Sequence, residues 1–301
     1  MRSGSPARAP RLGATAPRVR RENRPLHSVA LFYLLAFTIS WLIEIPQAAA
    51  ARGLIHTEIP GVVGFLSALA PALAAIALSA REEGTAGIRR LLGRLVRWSV
   101  APGWYAAAIA GFPMLGLVAV GLASVGAGRA PDFSASYIHD VFPQFPNNLS
   151  PWLFLPLFLM YSALTSAPEE VGWRGFALPR LQERLGAVYA SLVVGLLGGL
   201  WHLPLFFYPQ AVQSGLSFPL FLAGTLSASI LFTWIFNGTG GSLFLVSVLH
   251  SSLNATFVFL PLLPQVTGTT RQLWLFVAVI TVVAATLALS GRLRGAATRN
   301  A

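Results

Sequence analysis

The stretch Ser166-Ala-Pro-Glu169-Glu170-Val-Gly-Trp173-Arg174-Gly175 puts two carboxylates side by side at the end of an apolar run that begins near Trp152. Ionised groups in hydrocarbon are costly even after snorkelling, so such a pair needs partners and usually has a task. Arg174 follows Glu170 by four residues, so on a helix the two share a face in the favourable acid-before-base order. Glu169 has no comparable local partner, which singles it out for chemistry.

The rest of the chain is built of similar apolar material. Of its 301 residues, 55% are hydrophobic and 10% charged, against about 25% charged in ordinary soluble domains. Apolar stretches of about 20 residues, enough to cross hydrocarbon, recur near 28–50, 60–80, 99–124, 152–185, 187–207, 217–236, 241–262 and 272–290. The expected fold is all-α, a polytopic transmembrane helical bundle of about eight spans. Residues 1–25 are polar, carry seven Arg and hold too little apolar surface to fold, so they read as a disordered cytoplasmic tail. Residues 26–291 read as one transmembrane domain with a motif-bearing core at about 150–260, and 292–301 as a short cytoplasmic tail. The chain has no Cys, which excludes disulfides, thiolate metal sites and a cysteine nucleophile.

The net charge of +11 comes entirely from Arg among the basic residues. With the N-terminus in the cytoplasm and eight alternating spans, eighteen of the 21 Arg fall on cytoplasmic segments. Only Arg52, Arg129 and Arg271 fall outside. This asymmetry follows the positive-inside rule, so both termini are expected in the cytoplasm and nucleic acid is not an expected partner. The first span also has features of a secretory signal: Arg20-Arg21 before the apolar run, and small residues from Gln47 to Ala51 after it. Glu44 and Pro46 interrupt its end, and removing it would leave seven spans, so an uncleaved helix is the preferred reading.

Three further polar side chains stand in apolar surroundings. His202 lies in Gly198-Gly-Leu-Trp201-His202-Leu-Pro204. His250 and Asn254 lie in His250-Ser-Ser-Leu-Asn254, four apart and so on one helical face. Polar residues in membrane helices often serve only as hydrogen-bonding glue, at roughly 1 kcal/mol each. Spacing favours convergence instead. Glu169 and His202 are equidistant from the turn expected at Leu185-Gly186, about 16 residues or roughly 25 Å along each leg. They should sit level across a hairpin. A carboxylate and a neutral imidazole can share one water as general bases. A second His with Asn can donate to a developing oxyanion. Other proteolytic chemistries lack their residues: there is no HExxH and no GxSxG, and the only Asp residues, Asp132 and Asp140, share one loop.

At these same positions the sequence resembles the CAAX-protease and bacteriocin-processing family of intramembrane glutamic endopeptidases. Glu169-Glu170-Val-Gly-Trp173-Arg174 matches its EExxxR motif, Trp201-His202-Leu203-Pro204 its second motif, and His250 with Asn254 its third, HxxxN. One position departs from the pattern: the second motif usually carries an aromatic residue four before its His, and Gly198 stands there. The resemblance implies that Glu169 and His202 activate water and that His250 and Asn254 form the oxyanion site. It implies structural or orienting roles for Glu170, Arg174 and Trp173. It implies no cofactor and no metal, although Glu169, His202 and His250 make a conceivable zinc set. The expected substrate is a membrane-associated peptide or protein in the lipid bilayer. An Arg-only, Ala- and Gly-rich composition points to a bacterial plasma membrane, which argues against a prenylated substrate. The alternative is a non-catalytic membrane protein, such as a bacteriocin-immunity factor or scaffold. A transporter built of inverted repeats should show matching broken helices in its two halves, and the first three spans hold no counterpart to the His pair.

Overall fold

A computed structural model describes residues 24–57, 59–133, 137–142, 146 and 148–293. Among them all regular structure is helical, and seven helical stretches are long and apolar enough to cross a membrane. The long helices are α1 (Arg24–Ala51), α2 (Ala70–Leu92), α3 (Pro102–Ala127), α4 (Leu155–Glu170), α5 (Leu178–Trp201), α6 (Phe218–Gly238), α7 (Leu243–Phe259) and α8 (Arg271–Leu289). This is the expected polytopic helical bundle. The tail expected over 1–25 lies outside the described residues save its last two positions, where α1 has already begun. The C-terminal tail is described only to Leu293.

The longest stretch, Pro151–Phe207, runs through α4, a π-helical segment (Val171–Ala177) and α5. Its 57 residues laid straight would reach roughly 85 Å, far beyond a hydrocarbon core of about 30 Å. Gly186 breaks it inside α5, with φ 72° and ψ 172°, a backbone geometry essentially confined to glycine. Glu169 before the break and His202 after it line one cavity. A straight helix would hold them about 50 Å apart, so the chain doubles back at Gly186 and crosses twice. Seven continuous stretches thus supply the eight expected passes.

α7 occupies the centre. Its apolar window is 67% buried, against 33% for α1, α2, α3 and α8. It packs on α4 and α3, while α5 packs on α6, α8 on α6 and α3, and α1 on α2. Two glycines in the left-handed region, Gly240 and Gly241, turn the chain into α7. Ser242 then caps it, its hydroxyl accepting from the Leu245 N–H at 3.1 Å. A helix so largely enclosed pairs most of its polar side chains within the protein. This is why His250 and Asn254 are met by α4 rather than by lipid.

Small residues draw α5 and α6 together. A Cβ on Gly195 would come within 2.9 Å of the Leu226 Cα, and one on Gly199 within 2.7 Å of the Thr225 hydroxyl. Ser191 extends the same seam, with its hydroxyl 2.7 Å from Thr233 Oγ1 and its carbonyl accepting from Ser229.

Candidate active site

Pro168 stands in the last turn of α4, and the helix widens into π turns directly after the acidic pair. Proline removes an N–H and crowds the preceding turn, and π segments are often found at functional sites. Gly172 admits the first turn of α2 against this segment: a Cβ there would come 2.5 Å from the Pro71 Cβ. Neighbouring helical residues point about 100° apart, so the two glutamates diverge. Glu170 faces α7, fully buried, while Glu169 is half-buried on the wall of a cavity.

Glu170 is the most tightly held group in the site. Arg174 Nη1 donates to both of its oxygens at 3.1 Å, and His250 Nδ1 donates to Oε1 at 2.7 Å. Arg174 is itself buried and stands 4.3 Å from the centre of the Phe232 ring, a cation–π contact. The pairing of Glu170 with Arg174 is as expected. Its hold on His250, from 80 residues away, is additional.

The cavity has a volume of about 550 Å³. Glu169, Trp173, Arg174, His202, His250 and Asn254 all line it. The four expected catalytic side chains therefore converge on one space, and Glu170 stands behind it. Among the described residues no group hydrogen-bonds the Glu169 carboxylate, which is left open to the cavity.

Hydrogen bonds fix the chemistry of both rings. His202 Nδ1 lies 2.7 Å from the Gly198 carbonyl, which can only accept, so Nδ1 carries the proton and Nε2 is a free acceptor in the neutral ring. His250 Nδ1 donates to Glu170, so its Nε2 donates into the cavity only when the ring is an imidazolium. Asn254 uses one amide hydrogen on the Ser162 hydroxyl at 3.0 Å and has a second to offer.

Aromatic rings close the wall. Trp201 stands edge-on to His202, with centroids 4.7 Å apart, and donates its indole N–H to Ser40 on α1 at 2.8 Å. Trp173 stacks on Tyr33 of α1 and meets Trp201 edge-to-face. It thereby ties the first two motifs to α1. Trp201 does not fill the space at Gly198, where an added Cβ would meet nothing within 4 Å.

Ser162 is a site residue that the sequence motifs do not include. A signal for it existed: Ser162, Ser166 and Glu170 follow at intervals of four and are all buried, a polar stripe on the face of α4 that meets α7. Among the described residues no group of three His, Cys, Asp or Glu side chains is disposed to hold a metal ion.

The fold and this cavity define a multi-pass helical membrane protein with a carboxylate, two imidazoles and an amide converging in its interior. Residues 151–256 match the family described as type II CAAX prenyl endopeptidase, Rce1-like. That is the relationship the three motifs resemble, and the matched segment contains all of them. CAAX prenyl protease 2 of Methanococcus maripaludis is 35% identical over 111 residues, which cover 34% of this chain and 39% of that protein. The aligned part thus spans about two fifths of the relative's length.

Proposed function

We propose that the protein is an intramembrane endopeptidase, of the metal-independent glutamic type, that hydrolyses a peptide bond of a membrane-associated peptide or protein. The observation that carries this reading is the convergence of Glu169, His202, His250 and Asn254 on one cavity. The hydrogen bonds behind His202, His250 and Asn254, and the Glu169 carboxylate left without one among the described residues, support a distinct role for each. Glu169 and the free Nε2 of His202 are both acceptors, so a water between them donates one hydrogen to each and keeps a lone pair for attack. As the water oxygen bonds to the carbonyl carbon, its proton passes to Glu169. The carbonyl oxygen becomes an oxyanion, met by the second Asn254 amide hydrogen and by Nε2–H of the His250 imidazolium. Preorganised donors of this kind are usually the largest single contribution to such a step. Collapse of the intermediate breaks the C–N bond, and Glu169 returns the proton to the leaving amine. Glu170, fixed by Arg174, supports the charge on His250.

On this reading both termini face the cytoplasm, in the plasma membrane of a bacterium, and the chain needs no cofactor. The deciding experiment is cleavage of a peptide library by purified protein, wild type against Glu169→Gln, with and without chelator. Metal-independent cleavage lost in Glu169→Gln is the expected result. Activity that survives Glu169→Gln, or that vanishes with chelator together with one zinc per chain, would overturn the assignment. Wild-type protein that cleaves nothing would favour a non-catalytic immunity factor or scaffold.

A further inference from the structure

Three glycines lie close together on α5, and they differ in what surrounds them. Gly195 and Gly199 are dictated by packing, since a Cβ on either would run into α6. Gly198 is not. A Cβ there meets nothing within 4 Å, its φ is not in the left-handed region, and it lines the same cavity as Glu169 and His202. Glycine in mid-helix is unfavourable compared with alanine, and here no neighbouring atom requires it. What the missing side chain leaves is a hollow in the cavity wall, one helical turn from Val194 and on the side of His202, whose ring stands 5.3 Å from that of Phe221. Val194 and Phe221 are apolar, as are Leu220, Phe276 and Val277 elsewhere on the lining of the same cavity.

We propose that this hollow is a substrate side-chain subsite, which receives a bulky apolar residue, aromatic by preference, next to the bond that is cut. The inference rests on the peptidase reading above and adds to it a specificity that the motif residues do not determine. Position relative to the chemistry supports it. The Gly198 carbonyl holds His202 through Nδ1, so the hollow lies one helical turn from the imidazole and on its face of the helix. Residues so related place their Cβ positions about 5–6 Å apart. Consecutive Cα atoms of a bound peptide are about 3.8 Å apart. A peptide whose scissile carbonyl is held at His202 therefore offers the hollow the side chain of a residue flanking that bond, not of a distant one.

The test uses the full-length protein and internally quenched peptides with Ala, Leu, Phe or Trp at each of the two positions flanking the cleaved bond. Wild type is expected to show a kcat/KM that rises from Ala to Phe at one of them. In Gly198→Leu the Phe-to-Ala ratio at that position should fall at least tenfold, the scale on which apolar pockets discriminate by one or a few carbons. Should Gly198→Leu fail to fold in a detergent melt, Gly198→Ala adds a single methyl and should lower the Trp-to-Ala ratio first. An unchanged ratio in a variant that folds, or equal loss on small and large side chains, overturns the subsite while leaving the peptidase reading intact. Wild type that cleaves none of the peptides overturns both, and does so before any variant is compared.

Discussion

Replacing Glu170 by Gln should cost stability that replacing Glu169 does not. Glu170 is fully buried, and its carboxylate accepts from Arg174 and His250. The substitution removes the charge but not the bulk, and leaves the buried Arg174 guanidinium without its paired carboxylate, with one amide oxygen to accept from it and the Phe232 ring beside it. Breaking a buried pair by deleting one partner costs about 3–5 kcal/mol. At about 2–4 °C per kcal/mol for chains of this size, the midpoint should fall by roughly 6–20 °C. Glu169 is half-buried and makes no hydrogen bond among the described residues, so Glu169→Gln should stay within about 1 kcal/mol of wild type. Thermal melts of purified protein in detergent, followed by circular dichroism, measure both. A third variant isolates the cause. Replacing the pair together, Glu170→Leu with Arg174→Met, removes both charges, and apolar replacements of buried pairs are often neutral or better. The double variant should melt above either Glu170→Leu or Arg174→Met alone. If the two glutamine variants melt alike, or the double variant falls by the sum of its parts, the reasoning about the buried pair is wrong.

Asn254→Ala should lower turnover by about 10²–10³, the usual loss for one oxyanion donor, with substrate affinity little changed. Ser162→Ala, which frees the Asn254 amide to rotate, should lower kcat by a smaller factor, and Ser162→Thr should recover part of it. Gly172→Ala should destabilise by about 1–3 kcal/mol in the same melts, because its methyl would press on the Pro71 backbone 2.8 Å away. Reporter fusions after Arg52 and Gly128 should lie outside and those after Arg184 and at the C-terminus inside; an external C-terminus would refute the eight-span topology.

The number of passes and the candidate polar residues were legible in the sequence because both are written locally. Hydropathy over about 20 residues reports a crossing, and the Gly at 186 marks where one crossing gives way to the next. Spacing of four places Glu170 with Arg174, and His250 with Asn254, whatever the rest of the chain does. Equal distances from the Leu185-Gly186 turn were enough to expect Glu169 and His202 across from one another, and both line one cavity. The tertiary structure decided the rest. His250 leans on Glu170, Asn254 on Ser162, and Trp201 on Ser40, and each of these contacts joins helices far apart in the chain. The same holds for the glycines. In the sequence Gly195, Gly198 and Gly199 look alike, yet a Cβ on the first or the last would run into α6 and one on Gly198 would meet nothing within 4 Å. Periodicity reports which residues share a face of one helix. What that face meets depends on where the neighbouring helices cross it, and those crossings are set by the packing of the whole bundle.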